Sequence, residues 1–156
     1  MNWDDAFDKV IGHEGGYVND QNDPGGETKY GISKRSYPDE DIAGMTLTRA
    51  KEIYKRDYWD KCKCGELPHP LDFVTFDAAV NSGCGRAAKW LQQAIPGVTV
   101  DGIIGKQTLT TAKVFDGYAL AARASAHRLH WMAGLPTWEH FGKGWARRIA
   151  SNLMIT

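Results

Sequence analysis

A chain of 156 residues with 42% hydrophobic and 24% charged residues suits one domain with a sizeable core. Its mean hydropathy of -0.45 and the lack of any apolar run near ~18 residues exclude stable membrane insertion. Net charge is zero but uneven: residues 1–85 carry 10 Lys/Arg against 16 Asp/Glu, and residues 86–156 carry 9 against 3.

The cationic second half suits an anionic polymer such as cell wall, and it equally suits a solvated helix surface. No basic run interleaved with aromatics is present, so nucleic acid is not an expected partner. The opening MNWDDAFDKV is acidic and polar where a secretory signal would be basic and then apolar, so synthesis in the cytoplasm is expected. The expected oligomeric state is a monomer.

The first element is a helix. NWDDAFDKVIGHE places Trp3, Phe7, Val10 and Ile11 at i, i+4, i+7 and i+8, one apolar face. At ~100° per residue, Glu14 falls within about 20° of Trp3. It is therefore expected at the last helical turn, towards the core, with Gly15 and Gly16 as cap and exit. Partial burial and the negative helix end both disfavour the ionised form, which is the setting of a general acid. The plain alternative is a glutamate at a fraying end, pointing into water.

Residues 13–33, HEGGYVNDQNDPGGETKYGIS, then turn repeatedly through glycines. Asp23 sits on this polar loop, where solvent and backbone amides support a carboxylate. Thr28 and Tyr30 follow on the returning arm. Asn22-Asp23-Pro24-Gly25 is also a strong turn sequence by itself, and Asp20 is the nearest competing carboxylate.

A second helix is expected after Thr46 or Thr48, with Leu47, Ala50, Tyr54 and Tyr58 on one face, ending near Trp59–Cys64 before Gly65 and Pro68. LDFVTFDAAVNSG after Pro70 has hardly any polar face and predicts a central buried helix. Within it Asp72 and Asp77 read as hydrogen-bonded structural groups. Asn81, near its Gly83 terminator, caps the helix or binds an acetamido group.

GRAAKWLQQAI predicts a third helix with Ala87, Leu91, Ala94 and Ile95 on one side. Asp101-Gly102 is a turn leading to a helix start near Gly105, and Thr108 reads as a helix-start threonine. Asp116 caps a long helix carrying Tyr118, Ala122, Leu129 and Met132. Thr137 caps the last, with Trp138, Phe141, Trp145 and Ile149 as its buried stripe.

Cys62, Cys64 and Cys84 form neither a zinc pattern nor a disulfide framework and read as reduced thiols, with one Cys62/Cys84 or Cys64/Cys84 bridge open on oxidation. His127 and His130 share a helix face without a third ligand. No metal or cofactor is implied.

Glycosidic bond cleavage commonly uses one neutral carboxyl that donates a proton and one ionised carboxylate. Glu14 has the setting for the first and Asp23 for the second, with Thr28 able to hold a water. Tyr30, Tyr58 and Asn81 are the candidate substrate-binding side chains.

These residues carry a resemblance. HEGGY followed by NDPGGETKYGIS resembles the signature of the glycoside hydrolase family 108 muramidases, found largely in phage endolysins. It is also similar to the wider phage-type lysozyme pattern of a Glu, eight residues, an Asp, five residues and a Thr, except that four residues separate Asp23 from Thr28. FDAAVNSGCGRAAKWLQQAI, VDGIIGKQTL and FGKGWARRI resemble the peptidoglycan-binding region that accompanies these enzymes.

The resemblance implies a lysozyme-like fold, with Glu14 as the essential acid. The implied substrate is the β-1,4 bond between N-acetylmuramic acid and N-acetylglucosamine in peptidoglycan. Release to the periplasmic wall through a holin-type lesion would follow.

The expectation is a mainly α, lysozyme-like α+β domain with at most a small β-hairpin in residues 15–32. It has two lobes, residues 1–68 with the glycine loop and residues 69–156 with the binding-type helices. A lytic transglycosylase relying on Glu14 alone, or a non-catalytic peptidoglycan-binding module, are the rival readings.

Overall fold

The computed structural model describes residues 1–12 and 16–155, the Ile155 side chain aside. The chain divides into two compact units, one of Asn2–Asp57 and one of Tyr58–Thr156 together with Met1. Among the described residues there are seven α-helices and one small sheet, so the mainly α fold class holds. Among the described residues no helix is long and apolar enough to cross a membrane. The division falls at Asp57–Tyr58, ahead of the expected break after residue 68. Trp59 packs edge-on against Phe76 at 5.5 Å and so belongs with the helical unit.

In the N-terminal unit, α1 (Trp3–Ile11) buries Ala6, Phe7 and Val10. Asn2 caps it by accepting the Asp5 N–H at 2.9 Å. Gly12 is its C-cap, and Gly15 of the expected cap and exit lies outside the described residues.

The sheet is antiparallel, in order β1 (Val18–Asn19), β2 (Glu27–Lys29), β3 (Ile32–Ser33). Its register pairs Val18 with Thr28 and Thr28 with Ser33. It holds one strand more than the expected hairpin and runs to Ser33. Two-residue strands leave no alternation to read, and only the ladder reveals them.

Helix α2 (Leu47–Tyr54) is capped by Thr46, which accepts the Arg49 N–H at 3.1 Å. Its buried face is Ala50, Ile53 and Tyr54, while Leu47, expected on that face, is 48% exposed. Phe7 meets Tyr54 edge-on at 5.7 Å, joining α1 to α2 across this small core. The chain continues as a π-helical segment, Lys55–Asp60.

The helical unit is built on α3 (Leu71–Ser82), whose residues 71 to 79 are all buried, as its near-continuous apolar run predicts. Helix α4 (Cys84–Ala94) and helix α6 (Gly117–Ala133) pack on it and on each other, and α7 (Trp138–Ile155) packs on α6. The short α5 (Lys106–Ala112) lies between α4 and α6 in sequence.

Asp116 caps α6 by accepting the Ala119 N–H at 3.0 Å. The face of α6 differs from the predicted one. Leu120, Ala121, Ala124, Ser125, Arg128 and Met132 are buried, whereas Tyr118 is 55% exposed and Ala122 is also exposed. An arginine and a serine inside the stripe break the apolar pattern that marks a buried face. In α7, Ile149 is buried but Phe141 is 57% exposed, because Gly142 and Asn152 occupy the inward positions.

Asp77 explains the buried arginine. Its Oδ2 accepts Arg128 Nη1 at 2.7 Å and its Oδ1 accepts Arg148 Nε at 2.9 Å, tying α3 to α6 and α7. Burial raises the Asp77 carboxyl, but the two guanidinium groups outweigh it and hold it below the usual carboxylate range. Asp72 is structural too, accepting the Phe73 N–H at 2.7 Å and pairing with the Met1 amino group.

The Asp101-Gly102 turn is held from α4. Buried Gln92 accepts the N–H groups of Asp101 (3.1 Å) and Gly102 (2.8 Å). Its Nε2 donates to Asp101 Oδ1 (2.9 Å), the Ile103 carbonyl (2.9 Å) and Thr108 Oγ1 (3.2 Å). Asp101 and Thr108 are thus packed into a turn-and-helix junction, the structural role their sequence suggested.

Candidate active site

The glycine loop is fixed by its own turns. Asp23 Oδ1 accepts the Gly25 N–H at 2.8 Å, and its backbone bonds the Asp20 carbonyl and the Gly26 N–H, each at 3.0 Å. Asp20 makes the same local bond to the Asn22 N–H at 2.9 Å. The turn reading of Asn22–Gly25 therefore holds for the backbone, with Gly26 at φ +69, a region glycine enters freely. The Asp23 side chain stays exposed, its Oδ2 without a partner among the described residues.

The loop closes on the sheet, where the Gly25 carbonyl accepts the Arg35 N–H at 3.2 Å and the Glu27 carbonyl accepts the Lys34 N–H at 2.8 Å. Thr28 stands half-buried in the middle of β2, between Val18 and Ser33. Tyr30 takes a left-handed φ of 51, uncommon for a bulky residue, and the Tyr54 hydroxyl holds it by donating to its carbonyl at 2.7 Å. The N-terminal unit thus carries Asp23, Thr28 and Tyr30 on one loop and sheet. Glu14 lies outside the described residues.

Sequence reasoning passed over Glu27. The Tyr17 hydroxyl donates to its Oε2 at 3.0 Å across the sheet, and that carboxylate pushes the Tyr17 phenol above its usual value. Glu27 precedes Thr28 directly, in a strand too short for its facing to be read from the sequence.

Asn81 and Tyr58 belong to the helical unit. Asn81, half-buried near the end of α3, accepts Arg128 Nη2 at 2.9 Å on its Oδ1 and lines a cavity of about 250 Å³. Tyr58 is half-buried in the π-helical segment, its carbonyl 4.0 Å from Cys84 Sγ.

The three cysteines are free thiols. A hydrogen bond with Cys64, and burial besides, push the Cys62 thiol up to about 12, which keeps it protonated and unreactive at neutral pH. His127 is half-buried and His130 exposed. Among the described residues no group of three or more His, Cys, Asp or Glu side chains could hold a metal ion.

Residues 7–83 match glycosyl hydrolase 108, a span that runs from α1 through the glycine loop to the end of α3. The solved structure of Brucella abortus SagA superposes with a TM-score of 0.86 at 34% sequence identity, over 97% of this chain and 91% of that one. The chain belongs to the glycosyl hydrolase 108 family. A comparison with curated proteins finds no match.

As a glycosyl hydrolase 108 protein, the chain is a glycoside hydrolase acting on peptidoglycan. Glu14, Asp23, Thr28, Tyr30, Tyr58 and Asn81 all fall inside the matched span.

Proposed function

We propose that this glycoside hydrolase is an N-acetylmuramidase, cleaving the β-1,4 bond between N-acetylmuramic acid and N-acetylglucosamine. The observation that carries the reading is the family match over residues 7–83, a span that includes both Glu14 and Asp23. Glu14 is the general acid that protonates the leaving glycosidic oxygen. Asp23, an exposed carboxylate, steadies the positive charge developing on the ring or orients a water, and the Thr28 hydroxyl helps hold that water. As the bond to the protonated leaving oxygen breaks, the water adds to the anomeric carbon, passes a proton to the Asp23 carboxylate and leaves a reducing muramic acid end.

One observation favours a second reading. Asp23 Oδ1 is already engaged by the Gly25 N–H. A lytic transglycosylase would need only Glu14, as acid and then base, and would close the ring onto the muramic acid's own hydroxyl with no water added.

Mass analysis of fragments released from purified Gram-negative sacculi separates the two. Hydrolysis yields reducing muropeptides, one water heavier than the anhydro products of transglycosylation. Anhydro-muramic ends would sink the hydrolase assignment, and binding to sacculi without release would leave only a binding module.

The resemblance to phage endolysins extends the proposal to location. The chain is made in the host cytoplasm and reaches the periplasmic wall after holin-type release. Cells expressing it are then expected to lyse when a holin-type pore is co-expressed and to grow normally without one, followed by culture turbidity. Lysis without the pore would refute that route.

A further inference from the structure

The cavity beside Asn81 lies wholly within the helical unit, between the end of α3 and helices α4, α6 and α7. At about 250 Å³ it is slightly smaller than the ~300–1,000 Å³ of pockets that enclose a drug-sized molecule. It has room for one residue of a longer polymer.

Its walls are of three kinds. Trp145 presents a half-exposed ring, extended by Trp138 at 6.1 Å and Phe141 at 5.7 Å, while Trp131 packs on Trp90 at 5.6 Å and serves as the seat of Arg86. Asn81 has its Oδ1 committed to Arg128, which fixes the amide and leaves its Nδ2 without a partner among the described residues. Arg86 sits on the rim with its guanidinium 3.8 Å from the Trp131 ring centroid and no carboxylate partner among the described residues.

These walls match one kind of ligand. Aromatic rings take the apolar face of a sugar. A fixed amide N–H₂ donates to an acetamido carbonyl. An arginine seated over a tryptophan ring, with no carboxylate partner of its own, has N–H donors to offer a carboxylate, and the contact reduces the rotamer freedom lost on binding. A neutral chitin-like glycan would use the first two walls and leave the third idle.

We propose that this cavity is a recognition site for an N-acetylated sugar carrying a peptide stem, in which Arg86 reads a stem carboxylate. The inference rests on the peptidoglycan-hydrolase reading above and names which part of the polymer the helical unit recognises. Arg86 is then a specificity-determining residue, selecting peptide-bearing glycan over bare acetamido sugars.

The test is binding, followed by tryptophan fluorescence, of two small ligands. One is a disaccharide-tripeptide released from peptidoglycan, and the other is diacetylchitobiose, which has acetamido groups but no carboxylate. Wild type is expected to bind the disaccharide-tripeptide more tightly than chitobiose. Arg86→Gln is expected to lose about tenfold or more of the affinity for the first, the scale of one charge-assisted hydrogen bond, with chitobiose affinity unchanged. Arg86→Lys, which keeps the charge without the planar fork, should fall between. Thermal melting of each variant checks that this exposed substitution leaves the fold intact.

Equal binding of both ligands by wild type, or an Arg86→Gln variant that binds the disaccharide-tripeptide as wild type does, would overturn the proposal. So would binding of a single-stranded oligonucleotide in preference to either sugar. Clearing of sacculi is measured on the same preparation. Clearing without Arg86-dependent binding sinks this inference alone, and Arg86-dependent binding without clearing sinks the hydrolase reading alone.

Discussion

Asp77→Asn is expected to destabilise the helical unit by about 3–5 kcal/mol, the cost of leaving a buried charge without its partner. Asp77 is fully buried, and Arg128, at 2% exposure, has no access to solvent that could replace the lost carboxylate. Arg148 depends on the same group from α7. The substitution preserves shape, so the loss reports charge rather than a cavity. Thermal or denaturant unfolding measures it.

The double variant Asp77→Asn/Arg128→Gln removes both charges of the shorter pair and should recover part of the loss, as a double-mutant cycle would show. An Asp77→Asn protein as stable as wild type would mean that the ion pair contributes nothing to the fold. The pH dependence follows from the same group. The folded-state carboxyl is held below its usual value, so its stabilisation is complete above the unfolded value of ~3.9 and is lost as pH falls through the folded one. Asp77→Asn should therefore flatten the fall in stability below about pH 4.

That ion pair also marks where sequence reading stopped. Helices whose apolar residues recur cleanly were legible. In α3 the run from Leu71 to Ala79 left no polar face, and it is buried throughout. Caps were legible as well, because Thr46 and Asp116 bond the N–H three residues on, a short-range chemistry that needs no tertiary information.

Faces interrupted by a buried polar group were not. Arg128 lies in the middle of the buried side of α6, and only its pairing with Asp77, 51 residues away, makes that position tolerable. Gln92 escaped notice for the same reason, since the groups it serves stand nine to sixteen residues further along. The third strand was missed because two-residue strands owe their pairing to the turn at Tyr30–Gly31 rather than to any pattern of their own. The candidate site divides likewise. Its loop chemistry was readable from glycine, proline and aspartate, whereas the Tyr17–Glu27 contact and the stacking of Arg86 on Trp131 required the fold.

Glu14→Gln is expected to lower the rate of sacculus clearing by about 10²–10⁴-fold while the protein stays folded, the range typical for loss of a general acid. The amide keeps the size and hydrogen-bonding reach of the carboxyl but has no proton to give to the leaving oxygen. Turbidity loss of sacculi measures the rate, and the melting curve shows that the fold survives.

Asp23→Asn is the companion that distinguishes mechanisms. In a two-carboxylate hydrolase it falls by a comparable factor, because the amide cannot offset positive charge on the ring. In a transglycosylase relying on Glu14 alone it stays close to wild type, because the Gly25 N–H still finds an oxygen acceptor in the amide. The pH profile carries a further sign. An acid that must be protonated loses activity as pH rises through its titration, so the alkaline limb of the wild-type profile should disappear in Glu14→Gln, leaving a low and flatter rate. A Glu14→Gln protein that clears sacculi as fast as wild type would remove the acid from the mechanism and return the role to the exposed loop carboxylates.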